Sequence, residues 1–461
     1  AWISNPVAFS FSVIKTFWTV ATSYCYFCWQ YGNVASVKGK EPMWHNIADQ
    51  LFSGSAFVRS GDVTAIECDG RTLTYRQLAE LCNEAGERLR HHGVQDRDRI
   101  LIRARDAEGQ VAAILGAMRT NLVPVILSSR ATDNDLEYVA RETGATTLVA
   151  DTEGDGSDIE ISEMSSKGSA KASPAAPEEA FWLYSSGTTG RMKGVIHGHR
   201  SLASVLSFHK DILGVKPGTR TFCTSRISFA YAMSNGFLAP LALGATVNLH
   251  PEWPTPESTI ETIGRTKPDV LFSVPSMYRA WLQMPENKLD QVSDVSRFVS
   301  AGEHLPVAVA DRWHTLSGGT ILDCYGCSET CFLTFASTGK TKPGSVGKPC
   351  DGVETELRGE TGALVEPGKE GRLFIRHPFL ALSYGPKAAA DVQARFDDGW
   401  FATGDIFRCD EGGNWFYDGR EDDWLKVAGQ WVSLRGVEDV ATKFEGVALA
   451  SVVAATDSDG F

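Results

Sequence analysis

The sequence predicts an α/β fold: a large domain of α/β subdomains that also carries a small β-rich subdomain. Three observations predict it. Two strand–helix–strand units follow one another between residues 99 and 150. A glycine- and hydroxyl-rich loop follows an apolar strand at residues 181–194. From about residue 340 to 420 the pattern changes to short strands broken by Gly and Pro turns.

Each element has a local reason. Arg99-Ile100-Leu101-Ile102 is a β-branched and apolar run, hence a strand. Gly109 to Asn121 sets Val111, Ile114, Leu115 and Met118 on one face of a helix. Val123 to Leu127 is the next strand, which completes a βαβ unit. Asn134 to Glu142 reads as a helix with Asp133 as its cap, and Thr147 to Ala150 as a strand. Residues 151–180 are rich in Ser, Gly, Ala, Asp and Glu and read as a linker. Gly371 to Arg376 and Trp415 to Tyr417 are strands of the β-rich part. No repeat of fixed period is present.

At 461 residues the chain is long enough for more than one domain or subdomain. It is 43% hydrophobic and 22% charged, a soluble globular composition. The net charge of −13 repels polyanions and argues against a nucleic-acid partner. Ten scattered cysteines do not form a disulfide framework and fit a reducing compartment, read here as the cytoplasm. Cys25-x-x-Cys28 lacks the βαβ context of a redox motif. Cys324, Cys327 and Cys331 lack the fourth ligand a zinc or iron–sulfur site would want. Val7 to Trp29 is fairly apolar, but Lys15 and many hydroxyls argue against a spanning helix. Residues 1–42 are read as a leader outside the fold, a membrane anchor being the weaker alternative.

The most informative segment is Tyr184-Ser185-Ser186-Gly187-Thr188-Thr189-Gly190-Arg191-Met192-Lys193-Gly194. Glycines let the backbone turn and approach a ligand, and successive N–H groups form an anion-binding concavity. The hydroxyls add donors and Lys193 adds positive charge. The spacing is not that of the nucleotide-hydrolase P-loop, which ends in Gly-Lys-Ser/Thr.

This loop resembles the phosphate loop of the AMP-forming acyl-CoA synthetase superfamily, to which peptide-synthetase adenylation domains and beetle luciferases also belong. Met192 stands where the family usually has Pro. Further segments match in order: Ser300-Ala301-Gly302-Glu303, Tyr325-Gly326-Cys327-Ser328-Glu329-Thr330, Thr403-Gly404-Asp405, and Asp418-Gly419-Arg420 to Gly429. The resemblance spans about residues 44–461. It implies a large domain over 43–421, then residues 422–461 as the start of a mobile small α+β domain, cut short.

The resemblance also implies roles. Ser185, Ser186, Gly187, Thr188, Thr189, Gly190 and Lys193 would cradle the phosphates of ATP. Gly302 and Glu303 would lie beside adenine, with Tyr325 stacked on it. Glu329 would hold Mg²⁺, a hard cation that prefers oxygen ligands. Asp405 would grip the ribose hydroxyls, and Arg420 would contact ribose and phosphate. Asp422 would be the hinge, and Gly429 would leave room for the pantetheine of coenzyme A. Lys193, Thr188, Glu329 and Arg420 are the implied catalytic set.

The implied reaction activates a carboxylic acid as acyl-adenylate, then transfers it to coenzyme A. The segment Arg226 to Gly236 would build the acyl pocket. It lacks the Asp that holds an amino-acid ammonium, and its wording resembles benzoate- and hydroxybenzoate-CoA ligases. Ala230, Tyr231, Phe332 and Leu333 would line it. Phe332 replaces a His common in benzoate ligases, which makes the pocket more apolar and argues against unsubstituted benzoate. His197-Gly198-His199 is read as structural, on a segment continuing into a helix. The family's C-terminal lysine motif does not occur after Asp422, so the chain is read as a fragment with an impaired adenylation step. Two alternatives stay open: loading of a carrier protein, and a nucleotide-binding protein without turnover. The oligomeric state is open, a homodimer among the options.

Overall fold

In the computed structural model, two of the parallel strands, Arg297–Ser300 and Ile321–Tyr325, run directly into candidate site motifs. The structure describes residues 46–54, 61–151, 159–163, 178–186, 192–338, 341–427, 430–441, 444, 447 and 450–453. The leader with its Cys25-x-x-Cys28, most of the 151–180 linker, Gly187, Thr188, Thr189, Gly190, Gly429 and residues 457–461 lie outside them.

Two large sheets form the fold. The first has seven strands in the order Ser383–Tyr384, Met192–Gly198, Glu179–Ser186, Val123–Leu127, Arg99–Arg103, Thr147–Asp151, Ile159–Glu163. Four of these run parallel: Glu179–Ser186, Val123–Leu127, Arg99–Arg103 and Thr147–Asp151. The central strand Val123–Leu127 is wholly buried, as expected where helices cover both faces of a parallel sheet. The Glu108–Arg119 helix confirms the first βαβ unit.

The second helix, Asp133–Thr143, corrects one expectation. Its cap is Thr132, not Asp133: Thr132 has extended dihedrals and forms a reciprocal capping box with Asp135. Asp133 is already the first helical residue. Gly144 closes the helix in the left-handed conformation.

The second sheet has nine strands. Its parallel centre runs Ile321–Tyr325, Arg297–Ser300, Val270–Ser273, Arg220–Cys223, Thr246–Leu249, Thr64–Cys68. Tyr278, Trp281, Trp313 and Phe298 pack edge-on or tilted to one another under it and exclude water from its core. The β-rich part is a five-stranded antiparallel sheet built on Glu354–Arg358, Glu370–Arg376, Trp400–Cys409 and Trp415–Arg420, with Phe396–Asp397 at the edge. Asp422 lies exposed in the turn Glu421–Asp423, which leads to the hairpin Trp424–Val427/Gln430–Ser433.

One buried contact joins the two large sheets near the site. Asp106, just past the strand Arg99–Arg103, accepts from the backbone N–H of Ile227 at 3.0 Å and faces the Arg226 guanidinium at 3.8 Å. Arg226 also donates to the carbonyls of His250, Pro251 and Glu252. The segment that leads into residues 230–236 is thereby fixed from both sides. Among the described residues, no helix is long and apolar enough to cross a membrane.

Candidate active site

Strand ends from both large sheets, together with the five-stranded sheet, enclose a cavity of about 880 Å³. Ligand crevices in parallel α/β sheets form at such carboxyl ends. The strand Glu179–Ser186 delivers Ser185, and its antiparallel partner Met192–Gly198 returns Lys193 opposite it. Ser185 lines the cavity and its buried Oγ has no hydrogen-bond partner among the described residues. Ser186 pairs with Met192 across the hairpin and is not among the lining residues.

Lys193 does not stand alone. Its Nζ meets Glu329 Oε1 at 2.8 Å, and the Tyr384 hydroxyl donates to the same oxygen at 2.6 Å. The ammonium also sits 4.8 Å from the Tyr384 ring centroid. Glu329 is only 5% exposed. Burial alone would raise its pKa, but the Lys193 charge and the hydrogen bonds from Lys193 and Tyr384 outweigh it and hold the carboxyl below its ordinary value.

A second carboxylate faces the same cavity. Asp405 lies on the strand Trp400–Cys409 and is 3% exposed. Arg420 Nη1 donates to its Oδ1 at 3.0 Å, and the Tyr325 hydroxyl to its Oδ2 at 2.5 Å. Here burial wins: it raises the Asp405 pKa against the lowering pull of Arg420 and Tyr325. The two carboxylates are thus pushed in opposite directions, one by a short ammonium contact and one by desolvation.

Backbone shape fixes the remaining wall. Gly302 adopts φ +87°, where a side chain is strained, and so turns the chain after the strand Arg297–Ser300. At Gly326 a Cβ would stand 2.5 Å from the Phe332 carbonyl oxygen, so the loop after Tyr325 closes only with glycine there. Glu303 lines the cavity while its carboxylate accepts from the N–H and hydroxyl of Ser276. Ala230, Tyr231, Phe332 and Leu333 line the same cavity. Tyr231 precedes a π-helical turn, Ala232–Leu238, a rare geometry common at functional sites. Cys324, Cys327 and Cys331 are free thiols beside it, and burial raises the pKa of each, that of Cys331 to about 12.

Sequence reasoning placed Lys193, Glu329, Tyr325, Asp405, Arg420, Gly302, Glu303, Ser185 and the four acyl-pocket residues around one cavity. It did not single out Arg395 or Asn235, which also line it, nor Tyr384, whose hydroxyl touches Glu329.

His197 and His199 correct a second expectation. They do not lead into a helix directly: His197 lies in the strand Met192–Gly198, paired across from Phe181, and the helix starts at Ser201. Their structural role stands. His197 stacks on Phe181, and His199 Nδ1 accepts from the Ile47 N–H at 3.2 Å. Burial lowers the pKa of His197, His199 and His209 to about 4. Between pH 6.5 and 4 the unfolded chain therefore binds protons that the folded chain does not. Stability is fully present above about pH 6.5 and falls as the pH drops toward 4, by up to about 2 kcal/mol per histidine at pH 5. His377, lowered to about 4 by burial, adds to this effect, while Asp106, raised to about 6, and Asp405, also raised, both chiefly by burial, act in the opposite sense. Urea unfolding at pH 7 and pH 5 checks this: the midpoint should be clearly lower at pH 5, and an unchanged midpoint contradicts it.

The match to known proteins agrees with this geometry. The model of the family described as AMP-binding enzyme matches residues 55–385. The chain belongs to the AMP-binding enzyme family. This AMP-binding enzyme is 35% identical to the 3-hydroxybenzoate/4-hydroxybenzoate-CoA ligase of Thauera aromatica, over 90% of this chain and 85% of that one. It is 32% identical to the benzoate-CoA ligase of the same organism, over 91% and 85%. Among solved structures it resembles the anthranilate CoA ligase AuaEII in complex with anthranoyl-AMP, with a TM-score of 0.79 and 26% identity over 90% of this chain and 85% of that one. A benzoate CoA ligase from Burkholderia xenovorans LB400 gives a TM-score of 0.77 and 29% identity over 90% and 87%. The α/β fold expected from the sequence is the fold of these ligases.

Proposed function

We propose that this AMP-binding enzyme is an aryl acid–coenzyme A ligase: it activates the acid with ATP as an acyl-adenylate and transfers the acyl group to the thiol of coenzyme A. The observation that carries the reading is one cavity lined by both groups: the charged and polar Lys193, Glu329, Asp405, Arg420 and Tyr325, and the apolar or aromatic Ala230, Tyr231, Phe332 and Leu333.

The chemistry follows from the residues. A carboxylate oxygen attacks the α-phosphorus of ATP, a P–O bond forms, and pyrophosphate leaves with the old bond's electrons. The thiol of coenzyme A then attacks the activated carbonyl and AMP leaves. The protein supplies position and charge. Ser185, whose Oγ has no partner among the described residues, and Lys193 bind phosphate oxygens together with Ser186, Gly187, Thr188, Thr189 and Gly190. Asp405 accepts from the ribose hydroxyls, Arg420 contacts ribose and phosphate, and Gly302, Glu303 and Tyr325 flank the base. Glu329 fits Mg²⁺: it is a buried carboxylate beside a phosphate-binding lysine, and Mg²⁺ takes one or two carboxylates plus phosphate oxygens. When bound, the ion neutralises charge on the phosphates. Residues 43–421 form the large domain, Asp422 is the hinge to the small domain over 422–461, and Gly429 borders the pantetheine path. The eight described cysteines are all free, in keeping with a reducing compartment such as the cytoplasm.

ATP–pyrophosphate exchange across a panel of acids tests the reading on the full-length gene product. Aryl acids should support exchange at least about tenfold faster than straight-chain alkyl acids of equal carbon count, because an apolar slot of this size rewards shape only modestly. Equal rates, or exchange with alkyl acids alone, would defeat it.

A further inference from the structure

Tyr384 reaches Glu329 from a strand of two residues, Ser383–Tyr384, at the edge of the seven-stranded sheet. That strand pairs at two positions only, Ser383 with Ile196 and Tyr384 with Val195. Most strands are longer than this, and the end of so short a one needs support from outside the ladder. The support is a second buried carboxylate, outside the cavity. Glu142 is the penultimate residue of the helix Asp133–Thr143 and is 8% exposed. Its Oε2 accepts from the Tyr184 hydroxyl at 2.7 Å, and its Oε1 from the Lys387 backbone N–H at 3.1 Å. Tyr184 leads into the phosphate loop, and Lys387 follows closely on Tyr384. One carboxylate therefore grips both segments.

The turn between Tyr384 and Lys387 is shaped to this grip. A Cβ at Gly385 would stand 2.5 Å from Glu142 Oε1 and 2.9 Å from the Trp182 ring, so glycine is needed for the close approach. The Gly385 N–H donates to the Gly194 carbonyl at 2.8 Å, next to Lys193. The Gly385 carbonyl accepts from the Ala388 N–H at 3.0 Å and from Gln393 Nε2 at 2.8 Å. The Lys387 ammonium sits 5.1 Å from the ring centroid of Tyr138, on the same helix as Glu142. Glu142 forms no ion pair among the described residues. Burying a carboxylate against neutral donors alone costs stability, and such local costs are expected where function requires them. We propose that Glu142 is a positioning residue for acid activation: it holds the turn after Tyr384 against the phosphate-loop hairpin, so that the Tyr384 hydroxyl stays on Glu329 and Lys193 stays between them. The inference rests on the assignment of Lys193 and Glu329 to the ATP end of the reaction and extends it to a residue outside the cavity.

A double-mutant cycle on the full chain tests this, read by ATP–pyrophosphate exchange with the aryl acid of fastest wild-type exchange. Glu142→Gln keeps the side chain's size but sets an amide N–H against one of the two donors. It should lower exchange by about tenfold, with KM for the acid unchanged, and by no more than Tyr384→Phe does. In the Tyr384→Phe background the same change should cost less than about twofold, because residues that act through one contact are not additive. A residue that only stabilises the fold would give equal losses in both backgrounds, and that result overturns the inference. So does wild-type exchange by Glu142→Gln. If Glu142→Gln does not fold, Gly385→Ala decides: it pushes the turn off the carboxylate from the other side, and its loss should likewise vanish in Tyr384→Phe. Wild-type exchange by Glu329→Gln would instead overturn the site assignment beneath the inference, a result distinct from additive losses in the cycle.

Discussion

Glu329→Gln lowers ATP–pyrophosphate exchange by about 10²–10³-fold, the loss typical when one charged group that stabilises a reacting centre is removed. The side chain keeps its size, so the effect isolates charge. In the native site Glu329 Oε1 receives both the Lys193 ammonium at 2.8 Å and the Tyr384 hydroxyl at 2.6 Å. Glutamine can still accept one of these. It cannot neutralise Lys193, whose side chain is only 18% exposed, nor offer a carboxylate to Mg²⁺. Tyr384→Phe is the graded comparison: it removes one hydrogen bond and leaves both charges, so its loss should be smaller by at least about tenfold. Exchange by Glu329→Gln within about threefold of wild type, with the fold intact by circular dichroism, would refute the assignment of Glu329 to the reaction.

Asp405→Ala costs both nucleotide affinity and stability. The carboxylate is a shared acceptor for Arg420 and Tyr325, and it lies 3% exposed. Removing it strands a guanidinium and a buried phenol together. Leaving such partners unsatisfied costs about 1–3 kcal/mol of stability. Because Arg420 is one-third exposed, its share is at the low end of that range. Adenylation should fall by about 10²-fold or more as the ribose loses its acceptor. Asp405→Asn keeps one acceptor and should recover part of the stability without recovering ATP binding. Equal ATP affinity in Asp405→Ala and wild type, measured by titration, would show that the ribose lies elsewhere.

The parts of the site that were legible in the sequence share one property: they lie on contiguous motifs within or just past single strands. Ser185, Tyr325 and Asp405 each sit on or just past an apolar run whose strand character is local. What was not legible depends on tertiary pairing. Tyr384 is one of 11 tyrosines, and only the edge pairing of Ser383–Tyr384 with Val195 and Ile196 brings it to Glu329, 55 residues away. Asn235 lay in the segment read as the acyl pocket but was not singled out, because a π-turn, not an α-turn, sets where it lies. Thr132 and Asp133 illustrate a subtler limit. Four successive residues, Thr132 to Asp135, all suit a helix start, and the backbone dihedrals choose among them. His197 was assigned to the wrong element because its hairpin partner lies across a loop that resembles a helix entry in wording alone.

Cys324, Cys327 and Cys331 have a practical consequence. Lining the cavity and held protonated by desolvation, they are poor nucleophiles in this conformation. Any excursion that wets this wall restores ordinary thiol reactivity there. The rate of alkylation by a small maleimide would therefore act as a clock for opening of the cleft, read by mass at three adjacent positions, and a compound seated inside would slow it.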